Sequence, residues 1–483
     1  MPFGSGPARV KRWNSGMHMG SILNFRYRSS VLRHRFLLIV LFLQAVGTLV
    51  YFQFLTSRDK LNESGSDEGQ QHASRVHDRH WVGVLRAVAY DRGGWNSLEP
   101  VLELALADSV HVQVLLGGAS AQHHRQGLLV LDNRVKVTLI GEIWDEQAAQ
   151  AAVRDFVNTE HAGTMVAASA STEGTAAGLE ALCSSRAPGM VVVEDTYGTA
   201  GALLAQVTSM CPDRAKRVIA TVGDKIGQQL IHRRVPQFPG SVRLTGAPQY
   251  DAVARMRLDF GRRRHDLRQH LGVSQDEVLV LMAGQPRGTH EMLHMLRDAV
   301  FAASNVKTKL LLRQHPRATS FEQRSAQTFR EQTHPDFFVD ADLDVYPSSV
   351  DLLPAADVVM SGFSTTNYFA ILLGIRDVVF AGTPALLRDL QLEKGLTRPP
   401  ETDAGAGWFV DTSKGLSSVL NQVHAAHESK DAAKVRAAQK DLTADYDGQA
   451  AKRVWDVTME HFAELHLFPK TERNAVLLRR NNY

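Results

Sequence analysis

From Trp81 onward the chain is a succession of short apolar runs separated by longer amphipathic stretches, and this alternation limits the fold more than any other feature. The runs VGVLRAVAY, HVQVLLGG, RVKVTLIG, TMVAASAS, GMVVVED, KRVIATVGD and SVRLTGAP come first; EVLVLMAG, KTKLLLRQHP, FFVDAD, ADVVMSGF, DVVFAG and GWFVD follow. Continuous runs of Val, Ile and Leu, broken by helices, indicate a parallel sheet covered on both faces. Segments such as SLEPVLELALADS and GTAAGLEALCSS supply the covering helices. The pattern pauses at Gln249–His270, a charged helix-like stretch, and then restarts. It predicts an α/β protein with two successive Rossmann-like domains, residues 80–248 and 271–483, joined by a linker helix over 249–270. In open parallel sheets ligands bind beyond the carboxyl ends of the strands. Two such domains face to face border one cleft, so the residues just after each strand are the ones to inspect.

The N-terminal end has a different character. Residues 1–35 hold seven Lys or Arg and no Asp or Glu, and Phe36–Leu55 then runs FLLIVLFLQAVGTLVYFQFL without a charge. Some 20 helical residues at 1.5 Å each reach across the roughly 30 Å of a bilayer core. A cleavable signal peptide would have a shorter apolar region and a small-residue cleavage site. An organelle transit peptide, also Arg-rich and acid-free, is the competing reading. The segment reads as a single-pass transmembrane signal anchor whose partner is the lipid bilayer, with a basic cytoplasmic tail at 1–35 and type II topology. Residues 56–79 are polar and without apolar period, a flexible stem carrying the sequon Asn62-Glu63-Ser64. In a eukaryotic cell this puts the catalytic part in the lumen of the Golgi or another secretory membrane; in a bacterium it puts it beyond the inner membrane.

Composition narrows the function classes. The formal charge of +3 argues against a dedicated nucleic-acid binder, and two cysteines, Cys183 and Cys211, exclude a disulfide scaffold or a four-cysteine zinc site. Those two form one bridge or none.

Several strand exits carry chemistry. The strand ending at Val193 runs into Glu194-Asp195, a carboxylate pair suited to a general base; the plainer reading is that Asp195 caps the following helix. VLRAVAY ends at Asp91-Arg92-Gly93-Gly94, which makes Asp91 an acceptor-side candidate. KTKLLLRQ ends at His315-Pro316 just after Arg313, and a histidine there can donate to a phosphate oxygen or protonate a leaving group. The first strand of the second domain ends at Gly284-Gln285-Pro286-Arg287. Ala356–Met360 is followed by Ser361-Gly362-Phe363-Ser364-Thr365-Thr366 and an apolar helix. Such a hydroxyl-rich turn leaves backbone N–H groups and positive dipole where a phosphate sits well, although Ser364 would also serve as a simple helix cap.

Two metal motifs read as decoys. His290-Glu291-Met292-Leu293-His294 matches the zinc-peptidase pattern, with Glu322 as a conceivable third ligand, but it opens a helix inside a βαβ unit. The acidic spacing Asp340, Asp342, Asp344 falls in a polar loop. No metal and no cofactor is expected.

Taken together, residues 81–462 resemble the GT-B glycosyltransferases, whose two Rossmann-like domains hold the acceptor mostly on the first and the nucleotide donor on the second. VRLTGAPQYDAVAR looks like the inter-domain junction, ADVVMSGFSTTNYFAILLGIRDVVFAGTP like the donor-binding unit, and Asp445–Ala450 like the start of the closing helix. Within that fold three elements are similar to bacterial sialyltransferases and related nonulosonate transferases: Glu194-Asp195, His315-Pro316 and Ser364-Thr365. Teichoic-acid-type transferases using CDP-alditols share the last two. The resemblance implies a base at Asp195 or Glu194. It also implies a donor phosphate met by His315, Arg313, Arg287, Gly284, Ser361 and Ser364–Thr366. Gly198 departs from the pattern by standing three residues after Asp195 instead of next to it. Phe369 stands where many UDP-sugar enzymes place a ribose-binding Glu, which favours CMP- or CDP-linked donors over UDP-linked ones. The expected partners are a nucleotide-sugar donor and a glycan or other hydroxyl acceptor. Rival readings are a nucleotide-sugar epimerase of the same fold, a non-catalytic glycan- or nucleotide-binding protein, and the zinc peptidase.

Overall fold

The computed structural model describes residues 84–464 except 126–132, 141–145, 159–163, 171–174, 197, 304–305, 316, 343–344, 347, 424, 426–428 and 445. The apolar run Phe36–Leu55 and the sequon at Asn62 therefore lie outside the described residues. Among the described residues no helix is long and apolar enough to cross a membrane.

Every apolar run named above except FFVDAD forms a strand. They are β1 (Val84–Ala89), β2 (His111–Leu116), β3 (Lys136–Leu139), β4 (Thr164–Ala170), β5 (Gly189–Glu194), β6 (Val218–Val222), β7 (Ser241–Leu244), β8 (Val278–Ala283), β9 (Thr308–Arg313), β10 (Val358–Ser361), β11 (Asp377–Ala381) and β12 (Trp408–Val410). Seven make one sheet in the order β3-β2-β1-β4-β5-β6-β7 and five make a second in the order β12-β11-β10-β8-β9, with every pairing parallel. FFVDAD fails as a strand because it reaches the sheet at a single point. Leu310 and Phe338 form an isolated parallel bridge, and Val339 N–H bonds Leu310 O at 2.8 Å, before the chain turns away.

The continuous apolar runs are explained by the two faces of each sheet. In β5, Met190 and Val192 enter one core while Val191 and Val193 enter the other. In β8, Val278, Val280 and Met282 face one side and Leu279 and Leu281 the opposite side. Because side chains alternate across a strand, burial on both faces requires apolar residues at both parities. Each such fully buried side chain contributes about 1.5–3 kcal/mol relative to exposure.

The linker is a short 3-10 turn, Pro248–Tyr250, followed by two helices, Asp251–Arg257 and Phe260–His270, in place of one continuous helix. The second is fastened to the second domain by Arg268, which bonds Asp357 Oδ2 at 2.7 Å and the carbonyl of Ala355 at 3.0 Å.

The last described helix, Ala450–Glu464, does not stay with the residues that precede it. Ala451, Val454, Trp455 and Phe462 join the core of the first domain beside Trp95, Leu98 and Leu102. Trp455 Nε1 donates to Asp108 at 2.7 Å. The start of that helix is held by Asp251, whose carboxylate accepts the N–H groups of Ala450 at 2.9 Å and Ala451 at 2.8 Å. A division at 271–483 by chain order alone does not carry this return, since an amphipathic helix gives no sign of which core it will cover.

Cys183 and Cys211 are bonded, with Cα atoms 5.6 Å apart, tying the end of one covering helix to the end of the next. Closing a loop with a sequence separation of 28 residues removes unfolded-chain entropy worth about 3–4 kcal/mol.

Candidate functional site

The carboxyl end of β5 delivers two carboxyl groups to different surroundings. Glu194 turns inward and is 5% exposed. Its Oε1 accepts the N–H of Gly198 at 3.1 Å, so it caps the start of the helix Thr199–Met210. Burial first, and then the neighbouring Asp224, push its carboxyl up to about 8. Gly198 has φ 80°, a left-handed conformation that favours glycine, and this turn aims its N–H back at Glu194. Its place three residues after Asp195 thus has a local structural reason.

Asp195 points the other way, into the space between the domains. It is half-buried, and its backbone oxygen accepts from Gln249 Nε2 at 2.7 Å. Its carboxyl lies against Gly93: a Cβ built on Gly93 would stand 2.9 Å from Asp195 Cγ and closer still to Oδ2. Burial and the nearby Asp91 raise the Asp195 carboxyl to about 7, with Lys394 pulling in the opposite direction. Asp91 itself caps the helix Arg92–Ala107, its Oδ1 accepting from Gly94 N at 2.7 Å.

Two chambers meet at Asp195. The narrower, with about 40 Å³ of open space, is bordered by Glu194, Thr196, Ser364, Tyr368, Lys394 and Glu401. The wider, about 470 Å³, is bordered by Glu99, Glu103, Gln249, Phe369, Gln449 and Lys452, and its volume falls in the range of small-molecule sites. Asp195, Tyr250 and Thr365 line both.

The second-domain wall is the turn after β10. Ser361 is fully buried, and its Oγ accepts Ser364 N at 3.4 Å. Ser364 caps the helix Thr365–Leu373 by accepting Thr366 N at 3.2 Å, and its hydroxyl lies 3.2 Å from that of Thr366. Capping and cleft lining therefore coexist in one residue.

The other second-domain candidates gather at the exits of β8 and β9 and do not border either chamber. Gly284 is there for close packing, since a Cβ would sit 3.1 Å from Arg313 O and from Thr289 Oγ1. Arg313 turns its guanidinium to the carbonyl of Tyr346 at 2.8 Å. Arg287 is exposed and 3.6 Å from Asp389. His315 accepts Arg317 N on Nδ1 at 3.0 Å, which leaves its proton on Nε2. Burial lowers it to about 4, so it is a neutral donor at physiological pH. It sits two strands along from Ser361 on the same edge, roughly 10 Å by strand spacing. Phe369 packs its ring edge-on against Tyr250 at 4.9 Å.

The metal motifs are otherwise engaged. Glu322 accepts the N–H groups of Gly288 and His290, each at 2.7 Å, and so caps the very helix on which His290 and His294 lie. Those two rings pack edge-to-face at 4.4 Å. Asp340 pairs with Arg330 at 2.5 Å. Among the described residues no three metal-ligating side chains converge.

Sequence reasoning missed the residues that join the two walls. Tyr368 donates to Asp224 Oδ2 at 2.7 Å, its oxygen lies 3.0 Å from that of Tyr446, and Tyr446 donates to Gly223 O at 3.1 Å. Tyr250 stacks on Tyr368 at 4.9 Å. Lys394, at the end of the helix Pro384–Lys394, donates to Thr196 Oγ1 at 2.7 Å across the cleft. Glu401 is buried, and burial raises its carboxyl to about 7.

No family model matches the chain, and no curated protein matches it in sequence. Among solved structures it is similar to a Listeria monocytogenes protein named as a UDP-N-acetylglucosamine 2-epimerase, at TM-score 0.53 and 15% identity, covering 79% of this chain and 97% of that one. It is also similar to a glycosyltransferase from Rickettsia africae, at TM-score 0.51 and 10% identity, covering 79% and 98%. With two facing parallel sheets, one linker and a returning last helix, the chain has the GT-B fold.

Proposed function

We propose that this protein is a glycosyltransferase that moves a sugar from a nucleotide-activated donor, CMP-, CDP- or UDP-linked, to a hydroxyl of a glycan or similar acceptor. The observation that carries the reading is Asp195. It is a carboxyl brought to about 7, placed where a chamber of about 470 Å³ meets the Ser364–Thr366 turn of the opposite domain. A general base works best when its pKa lies near the operating pH. The acceptor would occupy the wider chamber with its hydroxyl on Asp195. As the acceptor oxygen bonds the anomeric carbon, its proton passes to Asp195, and the bond from that carbon to the donor phosphate breaks with its electron pair on the phosphate oxygen. The N-terminus of the helix Thr365–Leu373 and the Ser364 and Thr365 hydroxyls would offset that charge. Glu194, buried and capping, serves as support.

The uncharged run Phe36–Leu55 behind a basic segment supports a single-pass type II anchor, and the Cys183–Cys211 bridge suits an exported, oxidising compartment such as the Golgi lumen or the space beyond a bacterial inner membrane. The name of one similar structure brings in a second reading, an epimerase acting on the donor alone; such an enzyme has no use for an acceptor chamber on Asp195. The test is a panel of nucleotide sugars with candidate acceptors, comparing the wild type with Asp195→Asn. Turnover should fall about 10²–10⁴-fold while donor affinity holds. Full turnover in Asp195→Asn removes the proposed base. Conversion of a donor to its epimer without acceptor selects the second reading.

A further inference from the structure

Among the described residues three carboxyls are buried in the second domain, and two of them serve the fold. Glu322 holds the N–H groups of Gly288 and His290, and Asp377 accepts from Arg376 at 2.8 Å and from Trp408 Nε1 at 3.2 Å. Glu401 has no such use. It is 6% exposed and follows Pro399-Pro400 in the first turn of the short helix Pro400–Asp403. Its carboxyl has no ion pair among the described residues and accepts a hydrogen bond only from its own N–H. Asp224 and Lys394 act on it through space in opposite directions. It borders the narrow chamber together with Ser364 and Thr365, and its oxygens are not sealed from that space.

We infer that Glu401 recognises the sugar that is transferred, its carboxyl accepting a hydrogen bond from a sugar hydroxyl of the bound donor. This rests on the reading of the cleft as a nucleotide-sugar site. A carboxyl buried without donors costs stability, and a buried polar group that the fold leaves unsatisfied points to a ligand. Its place is preset, because the Pro399-Pro400 pair fixes the backbone that leads into it. Asp195 and the Ser364–Thr365 turn border the same chamber, so a donor with its phosphate on that turn has its anomeric carbon between the two. The transferred sugar begins at that carbon, whereas the ribose lies on the far side of the phosphate. Size agrees with a part of a sugar. The chamber has about 40 Å³ of open space, and a water needs about 10–15 Å³ of such space. A hydroxyl or hydroxymethyl arm therefore enters while the ring stays at the junction with the wider chamber. Tyr250, Phe363, Tyr368 and Leu390 give that arm apolar walls for its carbon. Burial raises the Glu401 carboxyl to about 7. A carboxyl keeps an acceptor oxygen whether or not it is protonated, so it takes a hydroxyl on either side of neutrality.

The experiment measures binding to the full chain by calorimetry, for wild type, Glu401→Met and Glu401→Gln. The probes are CMP, CDP and UDP, and the nucleotide sugars CMP-N-acetylneuraminate, CDP-glucose, UDP-glucose and UDP-N-acetylglucosamine. Loss of the hydroxyl's acceptor predicts about a 10-fold weaker affinity of Glu401→Met for the nucleotide sugar that the wild type binds. The matching bare nucleotide should stay within about twofold, since it carries no transferred sugar. Glu401→Gln should restore most of the loss, because the amide oxygen still accepts. A melt at pH 8 separates recognition from support: Glu401→Met should be at least as stable as the wild type, having lost a buried carboxyl without a partner. A variant that melts well below the wild type, or does not fold, shows a carboxyl the fold needs and overturns the inference. Equal losses for nucleotide and nucleotide sugar place Glu401 on the nucleotide and overturn it as well. So does a folded Glu401→Met with unchanged affinity for the nucleotide sugar, or a wild type that binds the nucleotides and none of the nucleotide sugars; each leaves the proposed function to its own test. A wild type that binds none of the seven probes removes the proposed function and the inference together.

Discussion

Gly93→Ala should disable the enzyme without unfolding it. The glycine lies in the first turn of the helix Arg92–Ala107, directly under the Asp195 carboxyl. An added methyl would meet Asp195 Cγ at 2.9 Å, whereas ordinary contact begins at 3.4 Å. The carboxyl must therefore retreat by more than half an ångström, since Oδ2 stands closer than Cγ, or swing to another rotamer. Misplacing a reacting group by roughly 1 Å can lower the rate by about 10²-fold, so turnover should fall about 10- to 100-fold. The fold should tolerate the change: alanine favours a helix over glycine by about 1 kcal/mol, which offsets part of the crowding. The assay pairs a thermal melt with turnover on whichever donor the panel identifies. In an Asp195→Asn background the methyl should cost nothing further, since the group it displaces no longer accepts a proton. Full turnover in a folded Gly93→Ala protein would falsify the assignment of Asp195 as the base.

Because Asp195 must be ionised to accept a proton and is raised to about 7, kcat/KM should climb with pH through about 7; Asp91→Asn, which keeps the helix cap, should move that limb down. Glu194 is raised from its ordinary range to about 8, so the folded state holds its proton more tightly than the unfolded chain and stability falls as pH rises from about 4.5 to 8. Glu194→Gln should flatten that fall by a few kcal/mol in melts at pH 5 and 8, and a slope identical to wild type would refute the buried, protonated carboxyl. His315→Ala should weaken nucleotide binding by only about 2- to 13-fold, the worth of a neutral hydrogen bond, equally at pH 6 and pH 8; a loss that grows as the pH drops would mean a charged imidazole. Full-length protein should resist carbonate extraction from membranes, and a soluble chain starting near residues 56–80 as the sole form would point to cleavage.

Most of the scaffold is legible in the sequence because two-sided burial leaves a local mark: GMVVVE and VLVLMA need no partner to be read as central strands. The exits follow from the strands, and so Asp195 and Ser364 could be picked out. What escaped depends on contacts far apart in the chain. Lys394 followed by Gly395 reads as an ordinary helix end, with φ 69° at the glycine, and nothing local says that its ammonium reaches Thr196. Tyr368 and Tyr446 look like core aromatics until Asp224 is beside them. The His290–His294 motif misleads for the converse reason. Its pattern is local, but Glu322, some thirty residues on, caps the helix it would have to serve.

The return of the last helix to the first domain sets an order for the making of the protein. Trp455 and Phe462 complete a core otherwise built from residues of the first domain, yet they are among the last described residues to be synthesised. The earlier half therefore waits, with the apolar face of Trp95, Leu98 and Leu102 uncovered, while the second domain is made and folds behind it. Folding along the growing chain is reversed at this point: the domain that starts first is finished last, when Asp251 receives Ala450 and Ala451. A chain stopped at about residue 449 would keep every described strand and still carry an open seam, a ready target for chaperones and proteases.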